Sequence, residues 1–241
     1  MRRLLVSICL LLGGLAIFVL GNLYYSIFPT NGNQVYYLAL TVFFLVVSVA
    51  LKRSRALARY APSAYALFIA SAALLFLSTG LLELRRGALS PLQDLALDKL
   101  SQFLHVVPVI IALTLVARDD LKSIFIAKGN LKAGLIFGGV SFLIWAVLGY
   151  LIQAGASGFP QLNASAILLL LVYVFANATM EELWFRAIFL KRYEAVIGRL
   201  AAILVTSVVF GVSHVNATYE FPGGGVVFGI VVFVLGVVGA Y

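Results

Sequence analysis

The chain has 241 residues, of which 63% are hydrophobic and only 11% are charged, and its mean hydropathy is +1.09. Soluble domains are about half apolar and about a quarter charged, so this composition excludes an ordinary soluble domain and indicates an integral membrane protein. The net charge is +8. In a membrane protein such an excess lies in cytoplasmic loops, so the expected partner is the lipid bilayer and not a nucleic acid.

Long apolar runs predict an all-α fold, a polytopic transmembrane helical bundle of about eight spanning helices. The hydrophobicity is continuous rather than alternating, which is typical of helices and not of barrel strands. The fourth run is short and can begin earlier, and the helix of the sixth can continue through the charged stretch that follows. The predicted segments are Leu4–Tyr25, Val35–Leu51, Pro62–Leu82, Phe103–Ala117, Ala133–Gln153, Ser165–Met180, Leu200–Val215 and Gly224–Tyr241.

Basic residues alternate between the loops in a regular way. They precede the first segment and follow the second, fourth and sixth, whereas the intervening loops are uncharged or balanced. The positive-inside rule therefore predicts a multi-pass protein of the cell membrane with its N-terminus in the cytoplasm. The first apolar run has no small-residue cleavage site after it, so we interpret it as a retained helix and not as a signal peptide.

The stretch "ATMEELWFRAIF" (Ala178–Phe189) places two acidic residues and an arginine at the end of the sixth apolar run. A charge at a helix centre costs about 2.5–3.5 kcal/mol on insertion scales, so an intramembrane acid is a functional hypothesis by default. Adjacent helical residues point about 100° apart. Glu182 can therefore pair with Arg186 while Glu181 faces the side of Asn177. By itself, the Glu–Arg pair also fits a structural role, tying two helices together or marking the end of the span.

His214 lies near the far end of the seventh segment, and Phe210 precedes it by one helical turn. Counted at 1.5 Å per residue from the basic residues at the membrane edge, Glu181 lies about 15 Å deep and His214 about 22 Å deep. The two helices run in opposite directions, so their side chains lean toward each other, and helix tilt can close the remaining gap. The sequence therefore permits a contact between Glu181 and His214.

Two motifs carry a family resemblance: "EELWFR" fits E-E-x-x-x-R, and "FGVSH" fits F-x-x-x-H. In this order on consecutive membrane helices they resemble the CPBP family of intramembrane proteases. That family includes the type II CAAX prenyl endopeptidases and the bacteriocin-processing or self-immunity (Abi) proteins. The stretch Asp119–Gly138 also looks like the entry to the family's core. We therefore divide the chain into generic transmembrane helices, residues 1–118, and a protease core, residues 119–241.

The resemblance implies an endopeptidase that hydrolyses a peptide bond near the cytoplasmic face of the membrane. Glu181, helped by His214, would activate the attacking water. Glu182 and Arg186 would shape and charge-balance the site, and Phe210 would line it. The name metalloprotease is applied to the family, so zinc is a candidate cofactor with Glu181 and His214 as its candidate ligands, although a catalytic zinc usually takes three protein ligands. The implied substrate is a membrane-associated peptide, prenylated or not.

The family has a further motif on a later helix, where a second histidine and an asparagine or aspartate help to hold the oxyanion. The sequence reaches Tyr241 inside its eighth apolar run and contains no histidine after His214. We therefore expect the missing motif to lie beyond Tyr241, and the activity of the chain without it is left open.

Two other classes of function stay open from the sequence. One is a non-catalytic membrane protein, an immunity factor or scaffold, in which the Glu–Arg pair holds helices together. The other is a transporter whose Glu181 carries protons or cations, although no repeated halves are recognisable. His105 has no acid one turn away and is predicted to be an interfacial or packing histidine. The glycine pairs Gly134-x-x-x-Gly138 and Gly225-x-x-x-Gly229 predict close helix packing.

Overall fold

A computed structural model describes residues 1–21, 32–85, 87–124, 126, 132, 136, 139, 163–215 and 223–240. All regular secondary structure in these ranges is helical, which confirms the predicted all-α bundle. Both glycines of the pair Gly134-x-x-x-Gly138 and nearly all of the predicted fifth span, Ala133–Gln153, lie outside the described residues.

The helices follow the predicted apolar runs, with small shifts at their ends. Helix α5 runs without a break through a π-helical segment into α6, and α1 also ends in a π-helical segment. The elements in chain order are α1 (Arg2–Leu15) with its π segment (Ala16–Leu20), α2 (Gly32–Arg53), a 3-10 turn (Ala58–Tyr60), α3 (Ala61–Ser78), α4 (Pro91–Val116), a second 3-10 turn (Leu121–Ile124), α5 (Ala164–Glu181), the second π segment (Glu182–Leu190), α6 (Lys191–Ile197), α7 (Arg199–Ser213) and α8 (Gly224–Gly239).

Within the described ranges, five helices are long and apolar enough to cross a membrane, and α7 and α8 are shorter apolar helices. The fourth span begins at Pro91, well before the predicted Phe103, because Ser90 caps it. The Ser90 side chain accepts from the Gln93 backbone N–H and the Gln93 side chain accepts from the Ser90 N–H, which forms a capping box. The sixth span runs unbroken for 34 residues, Ala164–Ile197, so the predicted continuation through the charged stretch is confirmed.

The end of helix α1 packs against the sixth span. Phe18, in its π segment, contacts the rings of Trp184, Phe185 and Phe189 at centroid distances of 5.2, 5.1 and 5.9 Å. Aromatic pairs at such distances stabilise packing beyond the area that they bury. The first helix therefore packs directly on the segment that carries the E-E-x-x-x-R motif.

Helices α7 and α8 approach each other through glycines. A Cβ added at Gly229 would lie 2.9 Å from the backbone oxygen of Gly211, and one added at Gly225 would overlap the backbone oxygen of Val215. Real side chains do not fit at such distances. The predicted close packing through Gly225-x-x-x-Gly229 is therefore confirmed, and it fixes α8 against the end of α7.

His105 lies buried where the turn after α3 returns to α4. Its Nδ1 lies 2.7 Å from the Ser101 carbonyl oxygen, and its Nε2 accepts the backbone N–H of Leu82 at 2.9 Å. Both ring nitrogens are therefore used in holding the turn, which confirms the prediction of a packing histidine. In the same turn, the Arg85 guanidinium hydrogen-bonds to Glu83 and lowers the pKa of that carboxyl to about 2.

Asp119 and Arg192 join two stretches that are far apart in the chain. Arg192, which the sequence suggests is a loop charge, lies in α6 and is only 9% exposed. Its Nη2 donates to Asp119 Oδ2 at 2.8 Å, and its backbone oxygen accepts from Ser63 on α3. The pair therefore ties the entry of the predicted protease core to the end of the sixth span.

Replacing Asp119 with asparagine is expected to lower the free energy of unfolding by about 1–2 kcal/mol, the lower part of the range for hydrogen bonds to charged groups, since Asp119 is half-exposed. The reason is that buried Arg192 loses its counter-charge. Thermal unfolding in detergent measures the effect. The neighbouring Asp120→Asn is the matched control, because Asp120 is exposed and its side chain accepts only the backbone N–H of Lys122 among the bonds described. Equal unfolding temperatures for the two variants would contradict the assigned pairing.

Candidate active site

Glu181 is the last residue of α5, at the point where the helix widens into the π segment. Such π-helical insertions are frequent at functional sites. Its Oε1 lies 3.4 Å from Nε2 of His214 and accepts from Nδ2 of Asn177, one turn earlier, at 2.9 Å. The side chains of Glu181 and His214 are 25% and 21% exposed. The structure therefore brings together, across two helices, the glutamate and histidine that the sequence singled out.

His214 directly follows the last residue of α7, and its ring is held by the helix that it ends. Nδ1 lies 2.7 Å from the carbonyl oxygen of Phe210. A carbonyl can only accept, so this bond places a proton on Nδ1 and leaves Nε2 to face Glu181. The Phe210 ring contacts the His214 ring edge-on at 4.7 Å. Phe210 thus orients the imidazole through both its backbone and its side chain.

Glu182 faces away from Glu181. It pairs with Arg186 within the π segment, at 3.4 Å between Oε1 and Nη1, and its side chain is 61% exposed whereas that of Arg186 is 13% exposed. The Arg186 guanidinium lies 5.1 Å from the centre of the Phe210 ring. The four residues Glu182, Arg186, Phe210 and His214 therefore form a continuous row of contacts from the exposed carboxylate to the imidazole.

Glu181 and His214 line a partly open cavity of about 290 Å³. Glu182 and Arg186 line a different cavity, of about 620 Å³, on the other side of the same helix. The smaller cavity is bounded by α1 to α5, the π segment and α7. Its lining residues are Phe18, Tyr37, Leu74, Leu77, Lys99, Gln102, Asn177, Met180, Glu181, Trp184, Phe185, Ser213 and His214.

Six of these lining residues come from the first four helices, which the sequence suggests are generic. The only local signal for two of them is that Lys99 and Gln102 are a polar pair three residues apart. Such a pair shares one helix face. The predicted fourth segment begins at Phe103, however, so the sequence did not place this pair on a helix, whereas in the structure the helix begins at Pro91. Phe18 and Tyr37 are ordinary apolar-run residues, and nothing in the sequence marks them.

The donor set of the described residues does not fit a catalytic zinc. Glu181 and His214 could supply two ligands, but the described residues contain no group of three His, Cys, Asp or Glu side chains placed to hold a metal ion. A catalytic zinc usually takes three protein ligands and one water. The described residues alone therefore do not form a catalytic zinc site.

The fold and the site together define a polytopic helical membrane protein with a carboxylate–imidazole pair in a partly open cavity. Residues 163–241, about a third of the chain, match the family model of the Type II CAAX prenyl endopeptidase Rce1-like proteins. The match contains both motifs and agrees with the resemblance to CAAX-type intramembrane proteases that they predicted. No curated protein and no solved structure shows significant similarity to the chain. The assignment of residues 119–162 to the protease core, and the roles of the site residues, stay predictions.

Proposed function

We propose that the protein is an intramembrane endopeptidase that hydrolyses a peptide bond near the cytoplasmic membrane face with water activated by Glu181 and His214. The observation that carries the proposal is the 3.4 Å approach of Glu181 Oε1 to His214 Nε2 inside a cavity between apolar helices. A carboxylate beside an imidazole, both only partly exposed, suits general acid–base catalysis. The family match over the same residues supports the same reaction class.

The reaction begins when Glu181 accepts a proton from a water molecule. The water oxygen forms a bond to the carbonyl carbon of the scissile peptide, and the carbonyl π electrons move to oxygen to give a tetrahedral oxyanion. The oxyanion then collapses and the C–N bond breaks. The proton held by the Glu181–His214 pair passes to the leaving nitrogen, which gives a free amine and a carboxylic acid.

His214 acts in this scheme through Nε2, because its Nδ1 hydrogen is committed to Phe210. Asn177 donates to the same Glu181 oxygen that faces His214, and so limits the rotation of the carboxylate. Glu182, Arg186 and Phe210 are positioning residues. They hold the imidazole from the side opposite the cavity and do not touch the reacting atoms.

The cytoplasmic placement rests on the charge pattern of the chain. Lys191 and Arg192 follow Glu181 by about ten residues, which is about 15 Å along a helix, and the positive-inside rule assigns such basic ends to the cytoplasm. The same rule places the N-terminus in the cytoplasm of a cell-membrane protein. The substrate is a peptide, prenylated or not, that reaches the cavity from that side.

The second candidate is a non-catalytic immunity or scaffold protein that uses the Glu–Arg pair for packing. The contact between Arg186 and the Phe210 ring does link the π segment to α7, which favours a packing role for Arg186. The ion pair itself lies within one helix. This candidate gives no reason for a half-buried glutamate and histidine to meet in a cavity, so the protease is the better supported function.

Replacing His214 with glutamine in the full-length protein is expected to reduce peptide cleavage by about 10²–10⁴-fold, the usual contribution of a positioned acid or base. The assay uses the protein in liposomes with farnesylated and unmodified peptides, and mass spectrometry detects the products. His105→Gln is the matched control, since His105 only holds a turn, and its rate per folded molecule is expected to equal the wild type. Full activity of His214→Gln, or no cleavage of any peptide by the wild type, would contradict the proposal.

A further inference from the structure

Lys99 brings an ammonium group into the cavity that contains Glu181 and His214. It lies on α4, outside the part of the chain that matches the protease family. The mechanism above does not use Lys99, although it borders the space in which the reaction would occur.

Two neighbours on the same helix hold the Lys99 side chain. Its Nζ donates to Gln102 Oε1 at 3.2 Å, and Gln102 Nε2 donates to Asp98 Oδ2 at 2.8 Å. Asp98 is also paired with Arg85, at 3.5 Å between Oδ1 and Nη1. The bonds through Gln102, Asp98 and Arg85 therefore hold the ammonium group in place and restrict the otherwise flexible lysine side chain.

Most other polar side chains of the cavity have bonds of their own, and the exception is Trp184, whose buried indole N–H has no hydrogen-bond partner among the described residues. The Tyr37 hydroxyl donates to the Ile17 carbonyl, the Ser213 hydroxyl to the Phe210 carbonyl, and the Asn177 amide to Glu181. An ammonium group has three donors, and among the described residues Lys99 uses one of them, toward Gln102. Lys99 is also the single cationic side chain in the described lining of the cavity, apart from any charge that His214 acquires.

We propose that Lys99 is an anion-binding group of this cavity and that in the hydrolysis it contributes to binding the oxyanion of the tetrahedral intermediate, in addition to the histidine and the asparagine or aspartate that the family resemblance implies. The inference rests on the proposed function for its catalytic part, but the binding of an anion in the cavity does not. The substrate carbonyl enters with its oxygen toward α4 and its carbon toward the water held by Glu181. As the carbonyl π electrons move to oxygen, the new negative charge forms a hydrogen bond with the Lys99 ammonium, and the bond lapses when the carbonyl re-forms.

The test measures binding and turnover in the same preparations of the full-length protein in nanodiscs. The binding probe is a peptide with a phosphinate, a tetrahedral anion, at the scissile position. Its neutral counterpart is the matching ketomethylene peptide. Lys99→Met is expected to reduce the preference for the phosphinate by about 10–100-fold, the cost of a lost charged hydrogen bond. It is expected to reduce kcat by about 100-fold, with KM changed by less than about threefold.

Lys52→Met is the matched control, since Lys52 is exposed at the end of α2, and it is expected to leave the preference and kcat unchanged. Lys99→Gln and Lys99→Arg accompany Lys99→Met, so that a variant that does not fold does not decide the result. An unchanged phosphinate preference and unchanged kcat in any folded neutral variant overturns the proposal. A rise in KM alone also overturns it, because Lys99 would then bind the ground state and not the intermediate.

The same measurements distinguish a failure of the proposed role of Lys99 from a failure of the proposed protease function. Cleavage that depends on Glu181 but not on Lys99 contradicts the proposed role of Lys99 and supports the proposed protease function. If the phosphinate preference depends on Lys99 but the protein cleaves no peptide, the anion-binding site is supported and the proposed protease function is contradicted.

Discussion

Glu181→Gln is expected to abolish most peptide cleavage, with kcat lower by about 10²–10⁴-fold and the fold retained. Glutamine has the shape of glutamate and can still accept the Asn177 hydrogen bond, which reaches Glu181 Oε1 at 2.9 Å. What it cannot do is take a proton from water. The loss should therefore appear in kcat, at an unchanged thermal unfolding temperature, and steady-state cleavage of liposome-bound peptides measures it.

Glu182→Gln is the matched control for Glu181→Gln, because it makes the same chemical change one residue later. The Glu182 carboxylate is 61% exposed and pairs with Arg186 within its own helix. Exposed ion pairs contribute about 0–1 kcal/mol, so the expected loss of activity is less than about tenfold. A Glu182→Gln variant as inactive as Glu181→Gln would mean that the two glutamates do not have separate roles.

The division of labour between the two glutamates could be predicted from the sequence because it depends on helix geometry alone. Adjacent residues on a helix face different directions, and a residue four positions on shares a face. The structure has Glu182 against Arg186 and Glu181 against Asn177, as this geometry requires. The two motifs also pointed to the family whose model residues 163–241 match.

The walls of the cavity could not be predicted, because they depend on which helices meet. Phe18 and Tyr37 lie far from the motifs in sequence. Both are ordinary residues of an apolar run, and nothing in the sequence marks them as lining a cavity. A count from the membrane edge left the backbones of Glu181 and His214 about 7 Å apart in depth at 1.5 Å per residue, which permits a contact but does not require one. In the structure Glu181 Oε1 lies 3.4 Å from His214 Nε2. The π segment that follows Glu181 does not follow from hydropathy.

The position of His214 depends on the contact between α7 and α8. Its backbone N–H donates to the oxygen of Gly211 and its Nδ1 hydrogen to that of Phe210, so the last turn of α7 sets where the imidazole lies. That turn is held from the other side by α8. A Cβ added at Gly211 would lie 2.7 Å from the backbone oxygen of Gly229 and 2.8 Å from Cβ of Phe233.

Gly211→Val is therefore expected to force α7 and α8 apart, because neither the backbone oxygen nor the Cβ that it meets can turn aside. Overpacking of this kind costs about 1–3 kcal/mol of stability. A displacement of about 1 Å at a catalytic group can cost about 100-fold in rate, so both kcat and the free energy of unfolding are expected to fall. Thermal unfolding and kcat in the same preparation measure the two effects.

Val212→Ile is the matched control for Gly211→Val, because it also adds bulk to the last turn of α7. Val212 is exposed, so both stability and rate should match the wild type. If Gly211→Val is as active as this control, His214 does not depend on the α7–α8 contact, and the imidazole must be positioned by Phe210 and the cavity side alone. If Gly211→Val loses rate while its unfolding temperature stays near that of the control, the glycine contact serves the alignment of Glu181 and His214 more than the stability of the bundle.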